Sequence, residues 1–109
     1  MIPTFQFGKD FLFLITSADI KIKPEDFDNL MTPDSMPWTK VVKNEQTYYQ
    51  VGVDAFSYSR ETGGIQMSFN AEITFEKARQ IAEEVENKLI KYTGQEIVVL
   101  FIPTDPISN

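Results

Sequence analysis

The sequence predicts an α+β domain in which a mostly antiparallel sheet carries one long and one short helix. Three consecutive segments indicate this class: an alternating strand at Ile65–Ile73, an amphipathic helix at Thr74–Thr93 and an apolar strand at Ile97–Ile102. Between residues 65 and 73, apolar and polar residues alternate without exception. Such alternation is typical of a strand with one face in the core and one face in water.

The long helix begins where the apolar spacing changes to three and four residues. Thr74 is predicted to cap its N-terminus, and Gly94 to end it in the left-handed conformation. Ile90 falls outside the apolar stripe, and it becomes informative only if it joins an exposed apolar patch. The stripe itself predicts packing on a sheet and consists of Phe75, Ala78, Ile81, Ala82, Val85, Leu89 and Tyr92.

Two further segments are apolar on both faces of a strand. Phe11–Thr16 and Ile97–Ile102 are therefore predicted to be central strands that are covered on both sides. Pro103 ends the second strand, so we expect one domain over residues 1–103 and a flexible tail over residues 104–109. A short edge strand is also predicted at Thr4–Phe7.

The middle of the chain predicts a short helix, a loop and two strands. Pro24 and the acidic residues after it suit the first turn of a helix within Lys23–Met31, and two prolines break the chain beyond it. Strands are expected at Trp38–Val42 and, as one long strand, at Thr47–Ser59, followed by a hairpin loop at Arg60–Gly64. This order is close to the βαββαβ arrangement of ferredoxin-like folds, with an extra strand near Trp38.

The composition excludes several kinds of site. The 109 residues contain no cysteine and no histidine, so disulfides, thiolate or imidazole metal ligands and Ser-His-Asp or Cys-His catalysis cannot be built. The net charge of −6 disfavours nucleic acid and anionic membranes as partners. No apolar run reaches the roughly 20 residues that span a bilayer. We therefore expect no cofactor, no metal and a cytoplasmic location.

Acidic and glycine motifs give no specific site. Asp26-Phe27-Asp28-Asn29 has the alternate carboxylates of a calcium loop, but Met31 and Pro37 stand where such a loop needs Gly and Glu. Asp19 and Asp54 are the carboxylates that best fit acid–base chemistry; the alternative is that Asp19 caps a turn and Asp54 points to water. Gly63-Gly64 precedes a strand, which indicates a hairpin and not a phosphate loop.

Aromatic residues provide the candidate binding surface. Alternation along Thr47–Ser59 puts Tyr48, Phe56 and Tyr58 on one face. Three roles fit this face: core packing, a protein interface, in which aromatic residues are enriched, or stacking of single-stranded nucleic acid, for which basic neighbours are few. The predicted interface residues are Tyr48, Phe56, Tyr58, Arg60 and Ile90.

The absence of catalytic motifs favours a non-enzymatic module for protein binding or assembly, such as an inhibitor or a particle component, that binds a protein partner or itself. The strand–helix unit from Thr47 to Leu89 resembles the equivalent part of phage tail-terminator and neck proteins, which implies a viral or mobile-element particle component. One alternative is a dimeric α+β domain that binds or converts a small molecule in a pocket between the sheet and the long helix, using Tyr48, Asp54, Tyr58 and Arg60. A third reading is mimicry of nucleic acid by the acidic surface.

Overall fold

A computed structural model describes residues 7–16, 20–61, 63–70 and 72–103. These residues form a single six-stranded antiparallel sheet with the order β2-β3-β4-β5-β1-β6, and two helices. The α+β class is thereby confirmed. The strand order is not that of a simple ferredoxin-like fold, because β2 to β5 form a continuous meander and β6 pairs with β1. The elements are β1 (Phe7–Thr16), α1 (Pro24–Leu30), β2 (Thr39–Lys43), β3 (Gln46–Val51), β4 (Asp54–Glu61), β5 (Gly64–Asn70), α2 (Phe75–Thr93) and β6 (Val98–Pro103).

The hydrophobic core lies between α2 and one face of the sheet. The predicted alternation is confirmed from Ile65 to Phe69, where the apolar residues are buried and Gln66 and Ser68 are partly exposed. The strand ends at Asn70 and not at Ile73, and Asn70, predicted to face water, is buried because its amide bonds Ala55 and Asp54. Burial of each large apolar side chain contributes about 1.5–3 kcal/mol, so this layer supplies the largest favourable contribution to folding. From α2 the core receives Ala78, Ile81, Ala82, Val85 and Leu89, and from the sheet Phe13, Ile15, Tyr49, Val51, Phe56, Ile65, Met67 and Phe69.

Both predicted ends of α2 are confirmed. The Thr74 hydroxyl accepts a hydrogen bond of 3.2 Å from the Lys77 backbone N–H, as an N-cap residue does. Gly94 has a φ of 69° and donates its N–H to the Ile90 carbonyl at 2.9 Å, which satisfies one of the last free carbonyls of the helix.

The short helix α1 and the loop after it are held against α2. The Glu84 carboxylate accepts hydrogen bonds from the backbone N–H groups of Asp34 and Ser35 at 2.8 and 3.0 Å, and Lys88 donates to the Thr32 carbonyl at 2.8 Å. Burial raises the pKa of Glu84, but the hydrogen bonds from Ser35, Gln80 and Asp34 outweigh it, so the pKa lies below its usual value. A charged Glu84 therefore fixes this loop.

The prediction of one long strand at Thr47–Ser59 is wrong. Gly52 and Val53 form a two-residue turn between β3 and β4, so that Val51 pairs with Asp54 and Tyr49 with Phe56. Gly52 has a φ of 63°, which glycine adopts without steric cost, whereas Val53 at the tip is a residue that favours strands. A turn changes which residues share a face, and the predicted grouping of aromatic side chains fails with it.

The prediction that Ile97–Ile102 is a central strand is also wrong. β6 is the last strand of the described sheet and pairs only with β1 within it. β1 is central, as expected, but Phe13 and Ile15 on its helix side are buried while Leu12 and Leu14 on the other side are only partly so. The physical reason is that both helices pack on the same face of the sheet, so the described residues leave the other face uncovered.

Several predictions fall on residues outside the described part. These are the tail at residues 104–109, Asp19, and the strand at Thr4–Phe7 except for Phe7, with which β1 begins. Neither described helix is long and apolar enough to cross a membrane.

Candidate interaction surface

Of the five predicted interface residues, Phe56 belongs to the core and Tyr58 packs against it. Phe56 is fully buried and its ring centroid lies 5.6 Å from that of Tyr49. Tyr58 packs edge-on against Phe27 at 5.9 Å and donates its hydroxyl to the Met31 carbonyl at 2.7 Å. Burial raises the pKa of Tyr58 well above its usual value, so the hydroxyl stays protonated. Tyr58 therefore connects the sheet to α1, whereas Phe56 packs within the core.

The other three predicted residues lie apart from this pair. Tyr48 pairs with Val41 of β2 on the face of the sheet that carries no helix, so it does not share a face with Phe56 and Tyr58. Arg60 is exposed, and its guanidinium donates to the Ile20 carbonyl at 3.2 Å. Ile90 is exposed on α2. The structure therefore does not bring the five residues together into one surface.

Asp54, a candidate for acid–base chemistry, is held inside the fold by an ion pair and a hydrogen bond. It is buried, which corrects the expectation that it points to water. One carboxylate oxygen accepts from the Lys77 ammonium at 2.8 Å and the other from the Asn70 amide at 2.9 Å. Asn70 also accepts the Ala55 backbone N–H at 2.9 Å, and Lys77 donates to the Val51 carbonyl at 3.1 Å. These bonds join the β3–β4 turn to β5 and α2.

Four of the exposed large apolar side chains among the described residues lie on β6 or beside it. Val98, Leu100 and Phe101 are 45, 47 and 43 % exposed, and Phe75 of α2 is 39 % exposed beside them. We call these four residues the β6 edge surface. Strand alternation divides it between both faces of the sheet, because Val98 and Leu100 point away from the helices while Phe101 points towards α2.

On the open face, the apolar area of β6 continues onto β1. Leu100 pairs with Leu14, Ile102 with Leu12, and Val98 with Thr16. Paired residues share a face in an antiparallel sheet, and the leucines of β1 are only partly buried. The open face of these two strands is thus a continuous apolar strip.

On the helix face, β6 borders a cavity of about 240 Å³. Phe101 packs on Phe75 with ring centroids 5.2 Å apart and on Phe13 at 5.6 Å, which gives the cavity an aromatic wall. The exposed flank of α2 forms the opposite rim, where Arg79 and Glu83 make an ion pair of 2.8 Å. The cavity is lined by Phe13, Phe75, Arg79, Ala82, Glu83, Glu86, Val99 and Phe101.

The two edges of the described sheet differ in chemistry. β2, with the sequence TKVVK, carries Lys40 and Lys43, and edge lysines protect a strand from pairing with another chain. β6, with the sequence VVLFIP, carries no charge at all. An uncharged edge with exposed apolar side chains on both faces has the chemistry that allows another strand to pair with it.

A second cavity of about 540 Å³ lies between α1 and the β2–β3 hairpin. Its polar lining is already paired, because the Asp28 carboxylate accepts from the Tyr49 hydroxyl at 2.6 Å and from Lys40 at 3.0 Å. These bonds have a clear effect on Asp28: the Tyr49 hydrogen bond lowers its pKa, burial opposes this, and Lys40 lowers it further. Among the side chains that the structure describes, no three acidic groups lie close enough together to hold a metal ion.

Sequence reasoning did not select the residues of the β6 edge surface, although the signal was present. The segment Ile97–Ile102 was predicted as an apolar strand, but it was assigned to the centre of the sheet and not to its edge. Comparison with known proteins assigns no family, since no protein-family model, curated protein or solved structure matches the chain.

Proposed function

We propose that this protein is a binding or assembly module that acts through the β6 edge surface and has no catalytic activity of its own. A single observation carries the proposal: β6 is an uncharged edge strand of the described sheet with half-exposed apolar side chains on both faces. Its role would be that of an inhibitor or of a component of a larger assembly.

Strand addition suits this edge for two physical reasons. The outward N–H and C=O groups of an edge strand are arranged to bond a further strand. The side chains Val98, Leu100 and Phe101 would be removed from water by the same event, and each square ångström of apolar surface buried contributes about 25 cal/mol. Backbone bonds and apolar burial thus favour the same partner geometry.

The small-molecule alternative has less support. Three of its four candidate polar groups are engaged within the chain: Asp54 with Lys77, Tyr58 with Met31 and Arg60 with Ile20. A ligand would have to displace these bonds before it gained its own.

Photocrosslinking in the native cells tests the proposal. A photoreactive phenylalanine analogue would replace Leu100, and the matched control would carry it at Val53, which is 82 % exposed at the tip of the β3–β4 turn. We expect a discrete covalent adduct with a protein chain at position 100 and none at position 53. No adduct at position 100, or equal adducts at both positions, would refute the proposal.

A further inference from the structure

We infer that the partner of the β6 edge surface is a second copy of this chain, with β6 paired antiparallel to β6 across a two-fold axis at Leu100. This inference rests on the proposed function and specifies the partner. It makes β6 an inner strand of a twelve-stranded sheet that is continuous across two copies of the described sheet of six strands.

The sequence of β6 determines where the axis lies. Pro103 has no N–H to donate, so the segment that can pair in full is Val98–Ile102, and its midpoint is Leu100. Two residues that pair across an antiparallel ladder point to the same face of the sheet. A two-fold axis perpendicular to the sheet satisfies this only when one residue lies on the axis and pairs with its own copy, and not when the axis falls between two residues. An axis at Leu100 meets both conditions.

This register pairs apolar side chains on both faces. On the open face, Leu100 pairs with Leu100 of the second copy, and Val98 pairs with the second copy's Ile102. The apolar strip that β1 and β6 form in one copy is thereby continuous with the same strip in the other. On the helix face Val99 meets Phe101, beside the cavity that these two residues help to line. Every cross-strand pair in the new ladder is therefore apolar, as suits a strand covered on both faces.

The charges on α2 are also self-complementary. Arg79 lies nearer the N-terminus of α2 than Glu83 and Glu86, and all three line the rim of the cavity next to β6. A two-fold axis makes the two α2 helices antiparallel, so the basic part of one flank faces the acidic part of the other. Pairing of β6 with the β2 edge of another copy is disfavoured, because it would place Lys40 and Lys43 against an uncharged strand.

Single-cysteine variants test the register directly, because the chain has no cysteine of its own. In the proposed dimer the two Leu100 Cα atoms are about 4.5–5.5 Å apart, a separation that a disulfide spans. Two copies of Val98 are offset by four residues, or roughly 13 Å. We expect Leu100→Cys to form a disulfide-linked dimer under mild oxidation, Val98→Cys to form one only when mixed with Ile102→Cys, and Val53→Cys to form none. Equal crosslinking at positions 98 and 100 would overturn the inference.

Sedimentation of the purified chain supplies an independent measurement. We expect a dimer that dissociates on dilution, and Leu100→Lys should weaken it by at least about tenfold because the change occurs twice at the axis. Val53→Lys should leave the dimer unchanged, and circular dichroism should show that both variants are folded. A wild-type chain that stays monomeric up to about 200 μM would overturn the inference.

The two proposals fail in distinguishable ways. A monomeric purified chain whose position 100 crosslinks to a different protein in cells would overturn the second copy and leave the binding function in place. A monomeric chain with no intermolecular adduct at position 100 would overturn both proposals. A photocrosslink from position 100 to another residue of the same chain would also overturn both, because the β6 edge would then be covered by the chain itself.

Discussion

Replacing Asn70 by alanine should destabilise the fold far more than a single exposed polar substitution does. Asn70 is 1 % exposed, and its amide makes two buried hydrogen bonds besides a longer one of 3.4 Å to Glu72. Its amide oxygen accepts the buried Ala55 N–H at 2.9 Å, and its amide nitrogen donates to the Asp54 carboxylate at 2.9 Å. Asn70→Ala removes both of these hydrogen bonds. The Ala55 N–H is then left without its acceptor, and the Asp54 carboxylate keeps its ion pair with Lys77.

The magnitude follows from these two losses. A buried N–H left without a partner costs about 1–3 kcal/mol, and a hydrogen bond to a charged group is worth about 1.5–3 kcal/mol. Water that enters the space left by the amide, and the retained Lys77 contact, offset part of this sum. We therefore expect a loss of about 3 kcal/mol, which for a domain of this size lowers the melting temperature by roughly 15 °C.

Urea unfolding followed by the fluorescence of Trp38, the only tryptophan, measures this loss. Trp38 reports on the core because its ring contacts that of Tyr49 at 5.9 Å. The matched control is Ser68→Ala on the same strand, whose hydroxyl accepts only a partly exposed bond of 3.3 Å from Gln66. The m-values should agree between variants. If Asn70→Ala cost no more than Ser68→Ala, the buried network would not stabilise the fold.

Three further predictions concern a close contact, a titration and a helix cap. A Cβ atom at Gly64 would lie 2.1 Å from the Ile15 carbonyl oxygen, so Gly64→Ala should lower the free energy of unfolding in urea by about 3 kcal/mol. Its control is Gly63→Ala, where the Cβ would meet open space but φ is 90°, and the loss should be only about 1 kcal/mol. Tyr49 lowers the pKa of Asp28 in the folded state, so this bond stabilises above about pH 4 and its contribution is lost as the pH falls through the lowered pKa. The stability difference between wild type and Tyr49→Phe should therefore shrink in acid, and a constant difference from about pH 7 to about pH 2.5 would contradict the assignment. Thr74→Ala should lower the free energy of unfolding by about 1 kcal/mol, measured as a lower melting temperature. An unchanged melting temperature would show that the cap bond does not stabilise the helix.

The parts of the fold that follow local rules were predictable from the sequence. The period-two pattern at residues 65–73 and the helical period after Thr74 each depend on neighbouring residues only. Both elements form, although the strand ends at Asn70, three residues before its predicted end. The caps at Thr74 and Gly94 follow equally local chemistry. α1 belongs to the same class, since Pro24 and two acids in its first turn are sufficient to locate it.

The β3–β4 turn was missed because its sequence contains conflicting preferences. Gly52 permits the positive φ of the turn, but Val53 after it favours extended strands and is flanked by further strand-forming residues. Once the turn is omitted, every residue beyond it is assigned to the wrong face. Tyr58 and Phe56 were accordingly grouped with Tyr48 on one face of a strand, with core packing, an interface or stacking as its possible roles. They lie instead on the face of Tyr49 and pack with it.

The error at β6 has a different origin and bears on the function. Its composition, apolar on both faces and without charge, is that of an inner strand, whereas in the single chain it lies at the edge of the described sheet. Local propensity cannot resolve this conflict, because a strand's neighbours are determined by the whole topology and, where copies associate, by the assembly. If β6 pairs with β6 of a second copy, it becomes an inner strand, and Leu100, Phe101 and Val98 have the surroundings that their side chains favour. Composition and position then agree for the dimer, and they disagree only for the isolated chain.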